Sequence, residues 1–140
     1  MKRKGTYVLF INLPEGFAAD VGSIGHVRLP PGHYCYVGSA MGGLDQRLGR
    51  HLSHEKTIRW HIDNLTTVAE DMWVMEYEGT DVSECELGRI LESVGALPAV
   101  DGFGCSDCHC HTHLYSVEPD IAMKELASCG LTKFVDKKSI

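Results

Sequence analysis

The glycine-rich stretch from Gly38 to Gly43 divides this 140-residue chain into two unlike parts. Ahead of it residues alternate; behind it they follow helical spacing. From Gly5 to Leu13, β-branched and aromatic residues recur with the period that builds a strand. Ile24 to Leu29 and His33 to Val37 predict two further short strands, and Pro30-Pro31-Gly32 between them is turn chemistry. Glycine then ends the sheet pattern. Leu44, Leu48 and Leu52 follow at four-residue spacing and predict a helix from about Leu44 to His54.

Beyond that helix the spacing predicts a second one from Thr57 to Val68 and a strand from Met72 to Tyr77. A third helix follows Ser83, which with Glu86 makes an S-x-x-E capping box. Pro98 to His113 is irregular, Leu114 to Val117 reads as a short strand, and Pro119 suits the first turn of a last helix. Strands first, then helices interleaved with another strand, favour an α/β (α+β) layer over a doubly wound parallel sheet. No linker or repeat interrupts residues 1–140, so a single domain with a Cys/His-rich loop at 102–113 is expected.

No apolar run approaches the roughly 20 residues that span a bilayer, and the first residues lack a signal-peptide core. A cytoplasmic protein is the expectation, with cysteines that are thiols or metal ligands rather than disulfides. The net charge of -6 counts against broad phosphate binding. It is unevenly spread, however. Glu70 to Glu92 is acidic but for Arg89, whereas Arg47, Arg50, Lys56 and Arg59 cluster before it and Lys2, Arg3 and Lys4 open the chain. The cluster is either a local nucleic-acid face, with His54, or a solvated surface.

At 100° per residue, Arg47, His51 and His54 fall within about 60° of one another on the flank of the leucine stripe. They stand at the edge of the core. Cys105, Cys108, His109, Cys110, His111 and His113 crowd one segment, and C-x-x-C-x-C is zinc-like spacing. Adjacent ligands cannot all reach one ion, and Cys85 on the third helix offers a fourth. The other reading is a loop of reduced thiols. A zinc deaminase is disfavoured, because no H-x-E accompanies the C-x-x-C. His61 shares a predicted helix face with Ile58, Ile62 and Leu65, which suits a core histidine; Asp63 would hold it or an arginine.

Gly5-Thr6-Tyr7, Tyr36-Val37-Gly38 and the R-x-x-x-H of Arg47 and His51 together resemble the GIY-YIG nuclease superfamily. More closely, the chain resembles a branch of it found alone or fused to endonuclease-III-type glycosylases. The shared stretches are Pro31 to Ala40, Trp60-His61-Ile62-Asp63, Glu84-Cys85, and Gly102-Phe103-Gly104 through Ser106-Asp107-Cys108 to Cys110, His113 and Leu114. They cover most of residues 5 to 117. Thr6 and Val37 replace the nominal isoleucines, and the wide gap between the tyrosines implies an extra hairpin or loop. The late asparagine of many relatives has no clear counterpart.

The resemblance implies a metal-dependent DNA endonuclease, structure-selective and repair-linked, with DNA and a DNA-repair glycosylase as partners. It assigns catalysis to Tyr7, Tyr36 and Arg47, adds His51 as a proton or water handler, and gives Glu84 a Mg²⁺ or Mn²⁺ ion. Glu86 competes with Glu84 by periodicity, but the capping box already employs it and the branch's Glu-Cys pair matches Glu84. The set Cys85, Cys108, Cys110 and His113 coincides with the branch's pattern for a structural Zn²⁺. By default each tyrosine is equally a half-buried strand residue and Arg47 a surface arginine. Two other classes stay open: a catalytically inactive nucleic-acid-binding or zinc-stabilised accessory module, and a protein-interaction domain using the acidic third-helix face.

Overall fold

In the computed structural model, which describes residues 3–103 and 112–135, strand β1 (Gly5–Leu13) is buried on both faces. Its alternation therefore feeds two cores. β2 (Phe17–Val21) and β3 (Gly25–Leu29) form a separate antiparallel hairpin. This hairpin fills the wide gap between the two tyrosine motifs.

β4 (Gly32–Ala40) returns antiparallel along β1, pairing Leu9 with Tyr36 and Tyr7 with Gly38. Helix α1 (Leu44–His51) and the single turn α2 (Asp63–Thr66) follow. β5 (Asp71–Glu78) pairs on the other side of β1. Next come α3 (Glu84–Ser93), β6 (Leu97–Pro98), β7 (Leu114–Ser116), α4 (Pro119–Ser128) and β8 (Thr132–Lys133). The main sheet is six-stranded, ordered β6-β7-β4-β1-β5-β8, and antiparallel throughout. The mixed α+β class follows from it.

One face of β1 packs Tyr7, Leu9 and Ile11 against Leu44 and Leu48 of α1 and Leu65 of α2. The other packs Val8 and Phe10 against Leu87 and Leu91 of α3 and Leu126 of α4. Full burial of a leucine stabilises by about 1.5–3 kcal/mol, so the paired leucines on α1 and α3 are enough to fix which helix face meets the sheet. Glycine is required where strands crowd. A Cβ on Gly5 would run into the backbone carbonyl of Tyr77 on β5.

Two helices are shorter than their spacing predicts. α1 ends at His51 rather than His54, and the Lys56 ammonium caps it with hydrogen bonds of 2.9 Å to the Arg50 carbonyl and 3.0 Å to that of His51. A cation there also suits the negative end of the helix dipole. The expected helix from Thr57 to Val68 shrinks to α2 because the buried Asp63 carboxylate accepts the amides of Arg59 and Trp60. Those bonds hold the preceding residues in a turn, and Ile58 and Val68 are left exposed. The capping box is formed: the Ser83 hydroxyl accepts the Glu86 amide at 3.2 Å. Among the described residues no helix is long and apolar enough to cross a membrane.

Candidate active site

Strand register brings the two motif tyrosines to one face of the sheet. Residues directly opposite in an antiparallel pair share a face, and so do positions two apart along a strand. Leu9 opposite Tyr36 and Tyr7 opposite Gly38 therefore put both rings beneath α1. Gly38 makes the room. A Cβ at that position would lie 2.5 Å from the Cζ of Tyr7.

His51, in the last turn of α1, meets the Tyr7 hydroxyl at 2.7 Å through Nε2. Its ring lies 6.3 Å from that of Tyr36, centroid to centroid. Burial pushes the His51 pKa down to about 3, and the positive charges of Lys56, Arg47 and Arg50 add to the effect against the pull of Asp63. The ring is therefore neutral at physiological pH. Its Nδ1 is buried with no partner among the described residues. An unpaired buried N–H is costlier and rarer than an unpaired lone pair, which assigns the ring proton to Nε2. On this assignment His51 donates and the Tyr7 oxygen accepts.

Arg47 lies one turn earlier on α1. Its guanidinium donates to the Ser39 carbonyl at 3.0 Å, and its Cζ stands 4.6 Å from the centre of the Trp60 ring. Its positive charge also acts on the Tyr7 hydroxyl. Burial holds the Tyr7 phenol far above its ordinary pKa, Tyr36 and Glu84 reinforce this, and Arg47 opposes it. The resting hydroxyl is protonated. With His51 donating to its oxygen, the Tyr7 hydrogen is left for another acceptor.

Glu84 approaches from the opposite helical layer, at the first residue of α3. A carboxylate there is favoured by the positive end of the helix. One carboxylate oxygen accepts the Ser39 hydroxyl, and the other lies 3.1 Å from Nδ1 of His113. His113 is fixed by its backbone, donating its amide to Phe103 at 2.9 Å and accepting from the Val37 amide at 2.9 Å. Its ring is 6.4 Å from that of Tyr36. Burial lowers the His113 pKa, with Glu84 opposing.

Glu84 offers one hard carboxylate whose side chain is 29% exposed. Among the described residues no cluster of three histidine, cysteine or acidic side chains could cage a metal. Mg²⁺ commonly takes one or two carboxylates, keeps several waters and completes its shell with substrate phosphate. The donor set fits such an ion. Cys85, half-buried beside Glu84, is disulfide-bonded, which corrects the expectation of thiols or metal ligands and leaves its sulfur unable to serve as a zinc thiolate. The zinc expectation falls largely on Cys108 and Cys110, which lie outside the described residues.

The basic cluster divides. Arg50 forks onto Asp63 with two bonds of 2.8 Å and also donates to the Thr57 carbonyl. Lys56 caps α1, and His54 donates to the Ala69 carbonyl at 2.9 Å. These three hold their own chain together, while Arg59 is exposed. His61 sits half-buried with its ring 5.5 Å from that of Phe103. Spacing alone missed Ser39, which touches both Arg47 and Glu84, and Trp60, which covers Arg47. Trp60 heads the shared Trp-His-Ile-Asp stretch, and that was the available signal.

Fold and site define a mixed α+β domain in which a phenol, a guanidinium and a carboxylate gather around the end of an antiparallel sheet. The chain belongs to the family described as Domain of unknown function DUF123, whose model matches residues 6–134. No curated protein and no solved structure matches it.

Proposed function

We propose that this domain is a GIY-YIG-type nuclease that hydrolyses phosphodiester bonds in DNA with a divalent cation, Mg²⁺ or Mn²⁺, at Glu84. One observation carries the reading. Tyr7 and Tyr36 share one sheet face with His51 of α1 on the Tyr7 hydroxyl, while Ser39 on β4 accepts Arg47 of α1 at its carbonyl and donates its hydroxyl to Glu84 of α3. Separate elements thus gather the two tyrosines, the arginine and the carboxylate at one end of the sheet.

Hydrolysis needs a positioned water, neutralisation of charge on phosphorus, and a stabilised leaving oxygen. A bound divalent cation would supply Lewis acidity and a lowered water pKa. Arg47 has no carboxylate within ion-pair distance among the described residues, so its guanidinium is available to grip phosphate oxygens. Tyr7 uses its hydrogen to orient a water or a phosphate oxygen, because His51 already donates to its oxygen. Neutral His51 does this without adding a second positive charge. Tyr36 shares the face and lines the approach.

The test is a cleavage screen over branched, flapped and linear DNA with Mg²⁺ and Mn²⁺. Nicking that needs metal and is lost in Arg47→Ala supports the reading. A wild-type protein that cuts nothing yet binds DNA in a salt-dependent way would replace it with an accessory module, a role that the inward commitment of Arg50 and Lys56 does not favour.

A further inference from the structure

We infer that Trp60 is a positioning residue for Arg47, locked in place by the buried carboxylate of Asp63. The chain from Leu52 to Ile62 has no regular secondary structure, yet it delivers an indole onto two guanidinium groups of the preceding helix. The Trp60 ring centre lies 4.6 Å from the Cζ of Arg47 and 4.4 Å from that of Arg50. Its ring is also 6.0 Å from that of His51. Trp60 itself is 37% exposed. A tryptophan kept for the core would be buried; this one covers charged groups from the solvent side.

Asp63 explains how an exposed residue holds its place. Fully buried, it accepts the Trp60 amide at 2.9 Å, the Arg59 amide at 2.8 Å, and both prongs of Arg50. The carboxylate thus fixes the backbone of Trp60 and neutralises one of the two guanidinium groups beneath the indole. Among the described residues, Arg47 is left as the guanidinium without a carboxylate partner. The aromatic face attracts it and limits the rotamers of a long side chain. Its guanidinium donates to the Ser39 carbonyl at 3.0 Å, and its charge acts on the Tyr7 hydroxyl. The device preorganises one positive charge beside the Tyr7 hydroxyl, where an oxyanion would be stabilised most by a group that need not reorganise.

This inference rests on the reading of Arg47 as the phosphate-binding group, so its test has one arm that does not need activity. In the first arm, the Nε–Hε signals of Arg47 and Arg50 are followed by NMR in wild type, Trp60→Phe and Trp60→Leu. Wild type shows both shifted upfield by the indole ring current. Trp60→Phe keeps part of the shift, and Trp60→Leu, which retains bulk, abolishes it. Arginine signals unmoved in Trp60→Leu overturn the positioning, whether or not the protein cuts DNA. In the second arm, Trp60→Leu lowers kcat about tenfold, the scale of a cation–π contact, with little change in KM. Trp60→Phe recovers most of it, and in an Arg47→Ala background Trp60→Leu causes no further loss. A full additional loss in that background means that Trp60 acts elsewhere, and it overturns the inference. If wild type proves inactive while the ring-current shifts behave as stated, the nuclease reading fails and the positioning stands.

Discussion

Gly38 stands directly across the β1–β4 pair from Tyr7, and the Tyr7 ring occupies the space where a Cβ at position 38 would be. The glycine of the second motif is thus explained by the tyrosine of the first. Gly38→Ala puts a methyl group 2.5 Å from the Tyr7 Cζ, and the ring must leave His51 to accommodate it. The expected cost is about 1–3 kcal/mol, as for other overpacked cores. Urea denaturation measures it. Adding Tyr7→Leu to Gly38→Ala should give less than the sum of the two single losses, because the smaller side chain vacates the collision.

His51 gives the acid limb of stability a definite sign. Its folded pKa, about 3, lies below the ordinary 6.5, so the unfolded chain binds a proton that the folded chain refuses. The contribution is whole above pH 6.5 and falls by about 1.4 kcal/mol per pH unit on the way down to about pH 3. His51→Gln should flatten that slope in urea melts taken between pH 4 and 7. In ¹⁵N spectra His51 should show a protonated Nε2 and a bare Nδ1 through the same range. A ring that titrates near 6.5 would contradict both.

The basic residues should separate by role. Removing Arg50 leaves the buried Asp63 carboxylate without its charged partner, and breaking such a pair costs about 3–5 kcal/mol. Arg59 is exposed, and Arg59→Ala should change stability by no more than about 0.5 kcal/mol. If DNA runs along this side, the same substitution lowers the slope of log affinity against log salt by about 1. Thermal melts and salt titrations of the two variants check this together.

Much of this was legible before the fold was known, and the failures have physical causes. β1, β4 and β5 announce themselves because long strands buried on one or both faces leave an apolar record. β6 and β8 have two residues each, too short to leave any pattern. The helix expected over Thr57 to Val68 failed because Ile58, Ile62, Leu65 and Val68 have the right period, while periodicity cannot register one buried carboxylate tying up the amides before α2. At the site, Tyr7, Tyr36, Arg47 and Glu84 were each nameable from motif and resemblance. That Ser39 bridges Arg47 and Glu84 was not, since the contact depends on a strand end lying between two helical layers. His113 was grouped with the cysteines by crowding in sequence and by the branch's pattern, and its contact with Glu84 through Nδ1 left no trace in the spacing.

The sharpest contrast lies within the first turn of α3, where Glu84 and Glu86 sit two residues apart with different partners. Glu86 serves the capping box: its amide reaches the Ser83 hydroxyl, and that hydroxyl lies 3.3 Å from the Glu86 carboxylate. Glu84 turns instead to Ser39 and His113 at the tyrosine end of the sheet. Glu84→Gln keeps the shape and can still accept from Ser39, so its melting temperature should stay near wild type. Without the negative charge it no longer holds a hard divalent cation, and metal-dependent cleavage should disappear. Glu86→Gln should do the reverse, costing at most about 1 kcal/mol of helix capping and leaving cleavage intact. Arg47→Ala belongs with Glu84→Gln: loss of one preorganised charge-stabilising group lowers the rate by roughly a hundredfold or more. Arg47→Lys should restore little, because a point charge does not reproduce the planar fork. The four variants are compared in one nicking assay with parallel melts. Cleavage that survives Glu84→Gln but fails in Glu86→Gln would move the metal to the other carboxylate, and cleavage that survives Arg47→Ala would remove the arginine from the mechanism.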